Sequence, residues 1–218
     1  MASALTFADY QNAAESLGCS EAAIRAVASV ESSGRGFTST GAIVARFEAH
    51  LFKKATGIAA TTYSQAFRIN KTEANKASSW GMFQVLGSNF ENAGYDDVES
   101  MIADYKKGEK RQLSSFVRLI KAWNLDDEIR DLQWATFARK YNGPNYAANN
   151  YDGKMAQAYA KYEPNPGQGL PKGRQTKNNV LWASVLVLLG VGFFFLYKRT
   201  VFFTNILTLF TNGTYQKI

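Results

Sequence analysis

Val180 to Tyr197, VLWASVLVLLGVGFFFLY, is a run of 18 residues without one charge. Wound as a helix at 1.5 Å per residue it is about 27 Å long, enough to cross a hydrocarbon core of about 30 Å. It lacks the amphipathic pattern of a helix with one wet face. In front of it, Pro164 to Asn179 holds three of the chain's four prolines and three glycines, with Leu170 its one large apolar residue. That composition predicts an extended, solvated linker. Together these segments take the C-terminal quarter out of any globular core. The chain is therefore divided into a domain at 1–163, a linker at 164–179, a single transmembrane helix at 180–197 and a short tail at 198–218. The tail's TVFFTNILTLF (Thr200 to Phe210) has three readings: a longer helix, an interfacial segment, or a surface for a partner.

Charge follows the same division. The chain of 218 residues carries a formal net charge of +7, yet residues 1–163 hold 19 Lys+Arg against 18 Asp+Glu. The six remaining basic residues (Lys172, Arg174, Lys177, Lys198, Arg199, Lys217) all lie beyond residue 163, where no acidic residue accompanies them. Basic residues flanking an apolar run fit a lipid bilayer, and a nearly neutral domain without a basic stripe argues against nucleic acid. The flanking charges are too evenly placed to set the membrane orientation. One cysteine (Cys19) and one histidine (His50) exclude an intrachain disulfide and the usual His/Cys zinc sites. A Cys19/His50 nucleophilic pair is weighed and set below the reading of Cys19 as a small buried hydrophobe. No metal and no cofactor is expected. The opening MASALTFADY lacks the basic start and apolar core of a secretory signal.

Within 1–163 the dominant period is helical. Thr6 caps a helix with Phe7, Tyr10, Ala14 and Leu17 on its apolar face and Gly18 at its end, and Ser20 caps a second running from Glu21 to about Glu31. Further helices are predicted through Val98–Tyr105, through Leu113–Ile120, from Ile129 through Leu132, Ala135 and Thr136 to Tyr141, and through Met155–Tyr162. Only Ala42 to Glu48 (AIVARFE) alternates like a strand, with Ile43, Ala45 and Phe47 on its inward face. The fold class is mainly α with a minor β element.

The second helix carries an anomaly. Ile24, Val27, Ala28 and Glu31 fall at i, i+3, i+4 and i+7, so an ionisable carboxylate shares the apolar face. Withdrawal from water favours the neutral carboxyl and raises its pKa, which is what a general acid needs near neutral pH. The competing reading pairs Glu31 with Arg35 or Arg46. Glycoside cleavage generally uses two carboxylates, and Glu48, on one strand face with Val44 and Arg46, is the second candidate. Two more segments have the chemistry of a cleft wall. SSWGMFQV (Ser78 to Val85) sets Trp80 beside Gly81, exposing a ring for stacking on a sugar, with Gln84 able to donate to and accept from hydroxyls. YNGPNY (Tyr141 to Tyr146) is a turn offering uncharged hydroxyl and amide groups.

AVASVESSGRGF, ARFEAHLF, SSWGMFQVLGSNFENAGY and WATFARKYNGPNYAANNYDGKMAQAYAKY, in that order and spacing, resemble the N-acetylmuramidase family of phage endolysins and related cell-wall hydrolases. The resemblance covers nearly all of 1–163, with Ala55–Ala77 departing from the family pattern. It implies a lysozyme-like α+β fold and cleavage of the β-1,4 bond after N-acetylmuramic acid in peptidoglycan. Glu31 matches the catalytic glutamate of the E-S-x-G motif, and Glu48 the acidic residue of the F-E-x-H segment. Trp80, Gly81 and Gln84 match S-W-G-x-x-Q, and Tyr141 and Asn142 match the Y-N-G-P turn, as substrate-binding residues. Two alternatives stand beside hydrolysis: a lytic transglycosylase of the same fold, and a non-catalytic, membrane-anchored glycan-binding protein. The expected partners are glycan strands, a bilayer at 180–197 and other virion membrane proteins. The expected place is a phage virion membrane, with the host inner membrane facing the periplasm second.

Overall fold

The computed structural model describes residues 4–163, which form ten α-helices and three short strands. The linker, transmembrane and tail assignments at 164–218 lie outside the described residues. Among the described residues no helix is long and apolar enough to cross a membrane.

Helix α1 (Phe7–Leu17) begins at Thr6, whose hydroxyl accepts from the Asp9 amide while the Asp9 carboxylate accepts from the Thr6 amide, and it ends at Gly18 with φ +67°. Both caps match the sequence reading and satisfy backbone groups a helix end leaves open. Phe7 does not: it is 56% exposed. The first turn of α1 is solvated, and the buried face starts only at Ala13, Ala14 and Leu17. Helix α2 (Glu21–Ser32) is capped by Ser20 and closes at Ser33, φ +58°. Ala22, Ala23, Ile24, Ala26, Val27 and Ala28 are all buried, so α2 is enclosed on nearly every side. Its small side chains let neighbouring helices come close. Helix α10 (Tyr151–Tyr162) lies along it, and α1 packs beside it.

The sheet is small: β1 (Ala45–Phe47), β2 (Ser78–Trp80) and β3 (Val85–Leu86) run antiparallel in that order. Arg46 stands opposite Ser79 and Trp80 opposite Val85. The predicted strand at 42–48 shortens to three residues because Val44 bonds instead to loops, donating to the Gly36 carbonyl and accepting from the Gly81 amide. Ala45 is solvent-exposed rather than inward. Phe47 does turn inward, toward a second, smaller core of Phe52, Ala60, Ala66, Ala74 and Ala77. Three short helices that the periodicity does not announce build that core: α3 (Ala49–Thr56), α4 (Tyr63–Ile69) and α5 (Lys71–Lys76).

Helices α6 (Val98–Tyr105) and α7 (Glu109–Ala122) fall where the spacing predicts, with Val98, Met101, Ile102, Tyr105, Leu113, Phe116 and Ile120 buried. The predicted helix from Ile129 to Tyr141 is broken. It divides into α8 (Asp126–Arg130) and α9 (Trp134–Asn142) at Leu132, which takes a left-handed φ of +56°. The break resets the helical phase, so Trp134, Phe137 and Ala138 are buried and Ala135 and Thr136 face water. A line of aromatic rings then ties the β2–β3 loop to α7 and α9. Phe83 stacks on Phe116 with centroids 4.2 Å apart, and Phe137 stacks on Tyr141 at 5.3 Å. Phe116 meets Tyr141 edge-on at 5.9 Å. Burying each such ring contributes about 1.5–3 kcal/mol, and favourable ring geometry adds roughly 0.5–1.5 kcal/mol.

Candidate active site

The end of α2, the sheet, the α7 terminus and the turn after α9 surround a cleft of about 290 Å³. Glu31, Glu48, Gln84, Tyr141 and Asn142 all line it. The left-handed Ser33 and Gly34 stop α2 one residue past Ser32, which leaves Glu31 on the last turn. Ser32 fixes that turn to the β2–β3 loop by donating its hydroxyl to the Met82 carbonyl at 2.6 Å.

Gln112 on α7 holds the opposite side of this joint. Its Oε1 accepts from the Met82 amide at 2.8 Å, and its Nε2 reaches the Gly36 and Tyr105 carbonyls at 3.5 and 3.4 Å. One buried amide thus links the loop after α2, the β2–β3 loop and α6. The chain must come very close for this: a Cβ on Gly36 would lie 2.3 Å from the Gln112 Oε1. Glu109, one turn earlier on α7, accepts from the Gly36 amide at 2.8 Å.

Glu31 keeps part of its surface on the cleft, but its carboxyl is largely withdrawn from water. Burial raises its pKa to about 7, against opposing contributions from the Asn142 hydrogen bond and the Arg46 charge. Its place at a helix C-terminus, the negative end of the helix dipole, disfavours the carboxylate further. Asn142 Nδ2 donates to Glu31 Oε1 at 2.7 Å. The Asn142 Oδ1 is buried with no partner among the described residues. Glu48, the residue before α3, is held differently. Its Oε1 accepts from Arg46 Nε at 2.6 Å, and its Oε2 lies 3.8 Å from His50 Nδ1. The two carboxyl groups therefore sit in unlike environments, one dry and one beside a guanidinium.

Gln84 adopts φ +48°, strained for a residue with a Cβ. Its Nε2 donates to the Gly81 carbonyl at 2.9 Å and the Val44 carbonyl at 3.4 Å, which leaves its Oε1 without a protein donor among the described residues. Tyr141 also lines the cleft, but its hydroxyl donates to the Phe83 carbonyl at 2.7 Å, so it braces the β2–β3 loop.

Two expected substrate contacts are not in the cleft wall. Trp80 is 6% exposed, and its indole N–H donates to the Asn75 carbonyl at 2.9 Å. Its ring meets Tyr63 edge-on in the interior. The β2 pleat turns it inward, and Gly81 beside it does not uncover it. Gly81, likewise buried, has φ +75°, and a Cβ there would meet Gln112 at 2.8 Å. It serves close packing, with its carbonyl holding Gln84. The partly exposed ring that does line the cleft is Trp123, at the end of α7, together with Tyr146 and Tyr151. The one signal of Trp123 in the sequence is a tryptophan just before Asn124, whose left-handed φ of +49° ends the helix. Arg46, His50, Asn89 and Asn149 complete the polar wall.

The cleft offers a buried carboxyl of raised pKa and a second, ion-paired carboxyl group among amides and aromatic rings, a set suited to acid-assisted cleavage of a hydroxyl-rich polymer. Comparison with known proteins agrees. A model of the N-acetylmuramidase family matches residues 20–64 and 59–163. The crystal structure of the endolysin of Burkholderia phage AP3 superposes with a TM-score of 0.64 at 35% identity, covering 74% of this chain and 71% of that one. No curated protein sequence matches the chain. Helical architecture with a three-stranded sheet, the matched span and the endolysin likeness together place the chain in the N-acetylmuramidase family, as a glycosidase.

Proposed function

We propose that the protein hydrolyses the β-1,4 bond between N-acetylmuramic acid and N-acetylglucosamine in peptidoglycan, with Glu31 as general acid. The observation that carries this reading is the Glu31 carboxyl, raised to about 7 by burial and facing the cleft. Half protonated near neutrality, it donates its proton to the bridging oxygen as the bond to the anomeric carbon breaks, and the N-acetylglucosamine side leaves as an alcohol. Glu48, oriented by its ion pair with Arg46, stabilises the oxocarbenium-like carbon and takes a proton from the attacking water. Gln84 presents its Oε1 to a sugar hydroxyl or acetamido N–H, Asn142 holds the Glu31 carboxyl in place, and Trp123 offers a ring face for stacking.

The Glu48 assignment is tested by mass spectrometry of the products of wild type and Glu48→Gln acting on peptidoglycan. Reducing N-acetylmuramic acid ends, falling by at least tenfold in the variant, are the expected result. 1,6-Anhydro ends formed at equal rates by both proteins would instead make the enzyme a lytic transglycosylase, in which the sugar's own hydroxyl replaces water.

The same proposal places the domain beside a membrane, anchored by 180–197 through a 16-residue linker that extends to at most about 50–58 Å. A phage virion membrane is the preferred site, for local wall opening at entry. A form lacking 164–218 should leave the membrane fraction; its retention there would contradict the tail as anchor.

A further inference from the structure

A second cavity, of about 320 Å³, opens beside the cleft and shares Leu51 and Leu86 with it. Its other walls come chiefly from α3 and α5, with Lys54, Ala55, Glu73, Lys76 and Ala77. These are residues of the segment that carries the second core, and nothing in the proposed glycan chemistry uses them. The cavity is a continuation of the cleft along one helix. Glu48, Leu51, Lys54 and Ala55 are spaced by three or four, so they follow one face of α3 from the cleft into the cavity. Lys76 is partly neutralised by Glu73 at 3.1 Å. Lys54 is exposed and takes part in no ion pair among the described residues.

A glycan strand in the cleft does not arrive bare. Each N-acetylmuramic acid bears, on its lactyl group, a short peptide with side-chain and terminal carboxylates. An apolar trough joined to the glycan cleft and ending at an exposed ammonium has the chemistry to take such an acidic peptide. The reach is also right. Lys54 lies six residues beyond Glu48, about 9 Å along α3, and four extended residues span roughly 13–14 Å. We infer that this cavity binds the acidic peptide stem of the substrate, with Leu51 and Leu86 under its backbone and Lys54 against a carboxylate. The inference rests on the peptidoglycan reading of the neighbouring cleft and adds to it a preference for peptide-bearing strands.

The test uses the full chain, wild type and Lys54→Glu, on two substrates: peptide-bearing glycan strands and the same strands stripped of peptide by an amidase. Lys54→Glu should lose roughly fivefold in kcat/KM on peptide-bearing strands, through KM, as expected for one exposed charge pair. It should equal wild type on stripped strands, and Lys54→Arg should restore most of the loss. Equal efficiency of wild type and Lys54→Glu on both substrates, or an equal loss on both, would overturn the peptide site while leaving the muramidase reading intact. A second measurement does not depend on catalysis: NMR titration with the free stem tetrapeptide should shift resonances of Leu51, Lys54 and Leu86 in wild type but not in Lys54→Glu. If wild type cleaves neither substrate yet shows those shifts, the muramidase reading fails and the peptide site stands; absent shifts would overturn the site.

Discussion

Replacing Asn142 by alanine should move the alkaline limb of the pH profile upward, although it removes a polar group from the cleft. In the structure Asn142 Nδ2 donates to Glu31 Oε1 at 2.7 Å, which stabilises the carboxylate and opposes the burial that raises the group to about 7. A hydrogen bond to a charged group contributes about 1.5–3 kcal/mol. The amide also has a use for the protonated acid. Its Oδ1 is buried without a partner among the described residues, and rotation of the amide lets it accept from a Glu31 hydroxyl, a neutral bond contributing about 1 kcal/mol. The net preference for the carboxylate is the difference, roughly 0.5–2 kcal/mol, and water entering the space left by the side chain recovers part of it. At 1.36 kcal/mol per pKa unit, Asn142→Ala should raise the Glu31 pKa by about half to one unit. Because a general acid works only while protonated, the descending limb of kcat/KM should follow it, from about 7 toward about 8. The assay is kcat/KM on soluble glycan strands between pH 5 and 9, paired with titration of the Glu31 carboxyl carbon by NMR. The amplitude of the profile also reports any lost sugar contact, so its position is the decisive reading. A limb that stays in place or moves down would refute the argument, because it would mean that Asn142 does not favour the carboxylate.

The other predictions concern the frame around the acid. Gln112→Leu strips the Met82 amide and the Gly36 and Tyr105 carbonyls of their partner inside the core, and should cost about 2–4 kcal/mol in urea denaturation. Trp80→Phe removes the indole bond to Asn75 and should cost about 1–2 kcal/mol, yet leave KM for glycan strands unchanged, since the ring is enclosed; a several-fold rise in KM would return Trp80 to the substrate site.

Much of this architecture was legible because local signals and tertiary packing agreed. The Thr6 and Ser20 caps, the left-handed Gly18 stop and the apolar stripes of α6 and α7 each have a short-range cause. So does the placing of Glu31: position i+7 from Ile24 on a wholly apolar face implies a withdrawn carboxyl. The errors have physical reasons too. A helix period running from Ile129 to Tyr141 does not reveal that Leu132 turns left-handed and resets the phase, because no glycine or proline marks the turn. Helices α3, α4 and α5 are short and bury only one or two residues each, so they show little periodicity. Trp80 misled because a tryptophan beside a glycine has the same composition whether the strand turns it outward or inward. Only the pairing of Trp80 with Val85 and the bond to Asn75 decide the question. Conversely, Trp123 is an ordinary member of a helical pattern until the end of α7 is seen to border the cleft.

The role of Glu31 is tested most directly by Glu31→Gln, with release of muropeptides from purified peptidoglycan measured beside thermal unfolding. The account predicts that release falls to background while the fold persists. Stability sharpens the test. The folded pKa of Glu31 lies above its unfolded value of 4.5, so ionisation destabilises the fold: its contribution is intact below about 4.5 and lost as pH rises through about 7. Glutamine, which cannot ionise, should therefore stabilise the protein above pH 7, by about 1–3 kcal/mol. An inactive variant more stable than wild type at pH 8 is the predicted result. A Glu31→Gln protein that still releases muropeptides with reducing ends would contradict the assignment of Glu31 as the acid.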